Sequence, residues 1–247
     1  MKNSHKSYND IGISSELDIP RIIHLMKLGL IAAIIALTAD LVLGYGSTDT
    51  TADGIPASFA RYLNVSDGRI FWSAIIGLIG IPLVCLCYFS IYRLIASKSE
   101  KYAHMYRSGI IGCLTFSGGV HISCCALAYF MKKIYVLDPE NTLQETFNFT
   151  GYFVLPITVL FMIFYVILII AQIKAFANGF TPLPKWAWVF SPLFGVIMAV
   201  ILKLPNLPVT NALTAESKFC VTVTLSLPSP MVSLPVNLWS IPIRMKT

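Results

Sequence analysis

No charged residue stands between Glu145 and Lys174, and what fills the gap is almost wholly apolar. Such a run is long enough to cross a hydrocarbon core of about 30 Å, which takes about 20 helical residues at 1.5 Å each. Lipid offers no partner for a free backbone N–H or C=O, so a run that crosses it must close its own hydrogen bonds as a helix. By the same criterion the chain holds five spans, at 23–45, 70–92, 108–131, 150–173 and 186–204. The second has no charge between Arg69 and Arg93, and the third has only His121 between Arg107 and Lys132. The fifth is the shortest, but Trp186 and Trp188 beside Lys185 have the character of an interfacial anchor. Pro82, Pro156 and Pro192 fall inside spans two, four and five and predict kinks, which neighbouring helices in a bundle can tolerate.

Composition supports a bilayer. Hydrophobic residues make up 56% and charged residues 12% of the chain, against roughly 25% charged in a soluble domain. The net charge of +6 does not imply a nucleic-acid partner, because no basic run interleaved with aromatics could form a groove. Topology explains it better. An amino terminus on the inside puts most Lys and Arg, including Arg93, Lys98, Lys101 and Arg107, on the cytoplasmic side. The first run is long enough to act as an uncleaved anchor in the cell membrane. Cys85, Cys87, Cys113, Cys124 and Cys125 lie in apolar stretches, where they read as small hydrophobes, and no disulfide framework is predicted.

The organisation that follows is a polar cytoplasmic segment (1–22), an all-α polytopic bundle (23–204) and an irregular Pro/Ser/Thr-rich tail (205–247). The tail has no charge from Phe219 to Ile243, but Pro228, Pro230, Pro235 and Pro242 would remove helix donors in succession. Val221 to Leu227 alternates with period two, and a lone strand cannot satisfy its backbone in lipid. Alternatively, the stretch after about Thr214 is a shifted reading frame that has replaced a sixth helix.

Asp40 is the one acid in the otherwise uncharged stretch from Leu28 to Tyr45. A charge at the centre of a membrane helix costs about 2.5 to 3.5 kcal/mol on insertion scales, so such a residue is a functional candidate. Ala32, Ala36, Asp40 and Gly44 recur every fourth residue, which puts Asp40 on a stripe of small residues suited to close helix packing. His121 is the only ionisable group of the third span, on a face with Ser117, Gly118, Cys124, Cys125 and Ala128. Depths of about 8 Å for Asp40 and 14 Å for His121 below the outer boundary make His121 its first candidate partner. The candidate polar site is therefore Asp40, His121, Ser117 and Cys125.

Three readings of that site compete: a satisfied buried hydrogen bond, a site for a lipid, small ligand, ion or proton, and a metal site. His121 with Cys124 or Cys125 has the i+3 or i+4 spacing of two ligands on one helix face, and Asp40 would be a third. Metal is the weakest reading in a chain with four histidines. Cys85 and Cys87, at i+2, point to different faces. Walker A, G-x-G-x-x-G, H-E-x-x-H and G-x-S-x-G patterns are missing, so no cofactor is implied.

Five pieces carry a family resemblance: Ala39-Asp40-Leu41-Val42-Leu43-Gly44-Tyr45, Gly77-Leu78-Ile79-Gly80-Ile81-Pro82, His121 with Asp138-Pro139-Glu140, Leu183-Pro184-Lys185-Trp186, and Leu204-Pro205-Asn206. From about residue 25 to 210 the chain resembles an uncharacterised family of small bacterial membrane proteins with six predicted helices and a domain-of-unknown-function label. After Thr214 it departs from that pattern, in which a last helix would follow. The surroundings of Asp40 also resemble the G-D-x-x-L element of lysoplasmalogenase-type membrane hydrolases, with Ala39 in place of the glycine and fewer helices. The expectation is a five-helix, multi-pass, non-catalytic membrane protein with membrane lipids as partners. Lipid hydrolysis and small-solute or proton-coupled transport are the alternatives.

Overall fold

The computed structural model describes residues 17–44, 55 and 57–193. The tail, its reading-frame alternative and most of the fifth span lie outside the described residues. Among the described residues the chain is helical and contains no strand. Helix α1 runs Ile19–Gly44. A short α2, Ala57–Ala60, and a 3-10 turn, Arg61–Asn64, lead into α3, Asp67–Cys87, and α4, Phe89–Ala96. Then follow α5, Glu100–Leu137, α6, Thr142–Phe149, a π-helical turn, Thr150–Val154, and α7, Leu155–Ala177.

Four stretches are long and apolar enough to cross a membrane: Ile19–Gly44, Asp67–Ala96, Glu100–Leu137 and Thr142–Ala177. All four extend past the limits set by hydropathy, because apolar composition marks only what lipid would touch while helix propagation continues into polar sequence. With 38 residues, α5 is about 57 Å long. The loop expected between spans three and four therefore shrinks to 138–141. Asp138 organises that corner, its carboxylate accepting from Asn141 N (3.2 Å) and Asn141 Nδ2 (2.8 Å), while its carbonyl accepts from Thr142 Oγ1 (2.8 Å).

The start of the fifth span differs from expectation. Lys185–Phe190 is a 3-10 helix between extended Pro184 and extended Ser191, and 3-10 runs are short because their hydrogen bonds are poorly aligned. Ala187 is buried there while Trp186 and Trp188 point outward. The proline kinks are also displaced. Helix α3 continues through Pro82 and breaks six residues later, where Tyr88 N bonds Cys85 O at 3.2 Å, an i→i−3 step. Pro156 sits in the first turn of α7, directly after the π turn. The wider turn accommodates a ring that would otherwise crowd the carbonyl four residues back.

The short connections at 97–99 and 138–141 turn α5 back along α3 and α4, and α6 and α7 back along α5. Helix α1 packs on α3, α3 on α5, and α5 on α7, a row in chain order. Small residues let the backbones close up. A Cβ at Gly80 would lie 2.8 Å from Ala36 N, and one at Gly112 would lie 1.9 Å from Phe164 Cγ. The outer surface is apolar, with Ile31, Phe71 and Trp72 each more than half exposed.

Two apolar clusters fill the interior. One runs through Ile22, Ala36, Ile81, Ile95, Tyr106 and Leu168, the other through Leu43, Tyr62, Ile70, Leu127 and Val154. Cys85, Cys87, Cys113 and Cys125 are free thiols. Cys124, read from the sequence as a small hydrophobe, is disulfide-bonded.

Candidate functional site

Between the two apolar clusters lies a polar layer. Asp40 falls between Ala36 and Leu43 on α1, Ser73 between Ile70 and Ile81 on α3, and Ser117 and His121 between Cys113 and Cys124 on α5. The small-residue stripe of α1 turns inward as its periodicity implies, with Ala32, Ala36 and Asp40 buried and Gly44 half-buried. Asp40 and His121 are each only 1% exposed, and His121 Nδ1 lies 3.9 Å from Asp40 Oδ1.

The contact spans helices that are not neighbours in the row, because α3 stands between α1 and α5. Gly77 makes it possible. A Cβ there would lie 2.1 Å from His121 Nε2 and 2.2 Å from its Cδ2, so the imidazole occupies the space of a missing side chain. Any other residue at 77 would close this window.

Ser73, one turn before Gly77 on the same face, fixes the ring. His121 Nε2 lies 2.9 Å from Ser73 O and 3.4 Å from Ser73 Oγ. The serine hydroxyl donates to Ala39 O at 2.9 Å, so the hydroxyl oxygen, not its proton, faces the ring. This network assigns the Nε2 proton as donor to the Ser73 carbonyl and leaves the Nδ1 lone pair toward Asp40.

Of the four site residues named from sequence, His121, Asp40 and Cys125 come together. Ser117 points elsewhere, its Oγ 3.7 Å from Cys85 Sγ. Cys125 Sγ is 3.7 Å from both His121 Nε2 and Ser73 Oγ. The geometry does not suit the three-ligand metal reading. Cys125 approaches Nε2 and Asp40 approaches Nδ1, and donors on opposite sides of one ring cannot converge on one ion. Among the described residues no group of three His, Cys, Asp or Glu is disposed to hold a metal.

Sequence reasoning missed Ser73 and Gly77. The available signal was local: Ser73 is the sole serine or threonine between Arg69 and Tyr88, and Gly77 follows it at i+4.

Polar tethers close the end of the bundle beyond Asp40. Arg69 Nε donates to Val42 O at 2.8 Å, tying α3 to α1. Lys132 Nζ donates to Val65 O (2.8 Å) and to Asp67 Oδ1 (2.6 Å), and Lys133 Nζ to Asp67 Oδ2 (3.1 Å). The hydrogen bond from Lys132, then that from Lys133, holds the Asp67 carboxyl below its usual range.

A family of unknown function, DUF6796, matches residues 1–223 of the chain, a match that runs past Thr214. No curated protein and no solved structure matches it.

Proposed function

The chain belongs to DUF6796, a family of unknown function, and we propose from the site itself that it is a multi-pass membrane protein whose Asp40–His121 pair holds one exchangeable proton. The observation that carries this reading is the 3.9 Å separation of Nδ1 and Oδ1 between two titratable groups that are each 1% exposed. One proton on either atom makes the pair neutral overall, as neutral acid with neutral imidazole or as carboxylate with imidazolium. Its loss leaves a net negative charge among apolar side chains, and such a charge is costly to bury. A lipid or larger ligand would require the helices to part, since Asp40, Ser73, Ser117 and His121 are all at most 3% exposed. The outward apolar surface meets membrane lipids. The basic residues around Arg93, Lys98 and Lys101 favour an amino terminus on the cytoplasmic side.

Nitrogen NMR of histidine-labelled protein in lipid nanodiscs tests this directly, with His121→Gln identifying the signal. The His121 ring should pass between neutral and protonated forms as pH changes, with a midpoint displaced in Asp40→Asn. A ring that keeps one form throughout the pH range of the folded protein would sink the reading.

A second reading rests on atom order. Asp40 at Nδ1 and Ser73 Oγ at Nε2 is the arrangement of a Ser-His-Asp triad, which favours an intramembrane lipid hydrolase. Against it, Ser73 is fully buried and its proton is given to Ala39 O. A fluorophosphonate probe that fails to label Ser73 in folded protein disposes of it.

A further inference from the structure

We propose that the end of α7 holds an anionic phospholipid, its phosphate at Lys174 and Lys185 and an acyl chain along the outer strip of the helix. The site lies apart from the Asp40–His121 pair and does not depend on it. Val159, Ile163, Val166, Ile170 and Lys174 follow at i+3 and i+4 spacing, so they form one strip. Its four apolar members are 39% to 50% exposed, and Lys174 is exposed as well. From Ile163 to Lys174 the helix rises about 16 Å, the depth of one leaflet in a hydrocarbon core of roughly 30 Å. A chain lying on that strip brings its headgroup level with Lys174.

Lys185 returns to the same place. Gly179 takes a left-handed conformation, φ 72°, at the end of α7, and a Cβ there would lie 3.5 Å from Lys185 Cε. The turn lays the lysine stem across the helix terminus. Trp186 and Trp188 stand outward on either side of buried Ala187, as amphipathic rings do at headgroup level.

Helix capping does not account for the two ammonium groups. Cations near a helix C-terminus serve its last carbonyls, but those of Lys174, Ala175 and Phe176 are already taken. Asn178 N and Nδ2 donate to Lys174 O at 3.1 and 2.8 Å, Phe180 N to Ala175 O at 2.8 Å, and Gly179 N to Phe176 O at 2.9 Å. Among the described residues neither lysine has a carboxylate within ion-pair distance. The setting is cationic too. At this end of the bundle the described acids are Asp18 and Glu100, against Arg21, Lys27, Arg93, Lys98, Lys101 and Arg107 besides the two lysines. At the opposite end four described acids, Asp67 to Glu145, match four bases, Arg61 to Lys133. Lysine binds phosphate as a point charge, and basic clusters at a membrane surface attract anionic lipids.

The experiment titrates the full chain, purified in detergent micelles, with an equimolar mixture of phosphatidylglycerol and phosphatidylcholine of identical acyl chains. Native mass spectrometry counts what stays bound. Wild-type protein should retain phosphatidylglycerol several-fold over phosphatidylcholine. The Lys174→Gln, Lys185→Gln double variant should lower that preference to parity, and the Lys174→Arg, Lys185→Arg double variant should keep it. Lys98→Gln with Lys101→Gln, which removes the same charge elsewhere at this end, should also keep it. Parity in the wild type overturns the site, as does an undiminished preference in the Lys174→Gln, Lys185→Gln variant. Equal losses in the two glutamine double variants replace the site with a diffuse basic surface and overturn it as well. Excess soluble glycerol phosphate should leave the lipid bound; if it strips the lipid, the lysines serve a soluble phosphate and the lipid proposal fails.

Discussion

Helix α5 meets its two neighbours through the same device and obtains opposite results. On the α3 side, the missing side chain of Gly77 is filled by the His121 imidazole, which reaches through to Asp40 on α1. On the α7 side, the missing side chain of Gly112 is filled by the Phe164 ring, which also stacks on Phe116 with centroids 5.9 Å apart. Glycine in a helix interior costs about 1 kcal/mol relative to alanine, so each must return something. At Gly112 the return is close apolar contact, which needs no particular partner chemistry. At Gly77 it is a polar contact between helices that would not otherwise touch. Close packing by small residues is therefore a means, and the residue that enters the gap decides whether the seam is dry or chemically active.

The largest test of this contrast is Gly77→Ala. The new methyl would displace the imidazole and strand buried polar groups, a destabilisation of roughly 2 to 6 kcal/mol. Unfolding measured by denaturant in detergent micelles should show most of that cost vanish in a His121→Ala background. A cost that persists there would mean the window serves something other than the ring. Gly112→Ala should cost about 1 to 3 kcal/mol through overpacking alone. Here relief should come from Phe164→Ala and not from His121→Ala, and the reverse pattern would erase the distinction between the seams. Ser73→Ala should cost about 1 kcal/mol. The ring's bond to the Ser73 carbonyl survives, so the Nε2 nitrogen signal should stay where it is.

Smallest of all is Asp67→Asn, at an exposed clamp outside both seams. The folded-state pKa of Asp67 is depressed by Lys132 and Lys133, so its contribution is present above the ordinary carboxylate range and is lost as pH falls through the lowered value. The melting difference between wild type and Asp67→Asn should accordingly be greatest near neutral pH and disappear in strong acid. A difference that grows on acidification would contradict the clamp.

The α7 seam was the easier to foresee, because hydropathy alone marks the helices that meet there. The Asp40 face followed from the Ala32, Ala36 stripe, and His121 from comparing depths along two helices. Ser73 and Gly77 were not legible for a geometric reason. Their importance depends on α3 standing between α1 and α5, and no periodicity within α3 reports what lies on both its sides. Ser117 was the reverse case: one turn from His121 it looked like a partner, but side-chain direction sends it to Cys85. The helices run on past the apolar spans wherever polar sequence stays helical, as at Lys132 to Leu137 and Thr142 to Phe149.

That intervening place of α3 also sets an order of events at the ribosome. Asp40 is translated about 80 residues before His121, which at synthesis rates of about 5 to 20 residues per second is an interval of roughly 4 to 16 s. Throughout that interval α1 must enter and stay in the membrane with its acid still waiting for the imidazole. The newborn helix has to be greasy enough on its own account to carry a passenger whose counterpart has not yet been made, and the run of Leu, Ile and Ala around Asp40 supplies that margin.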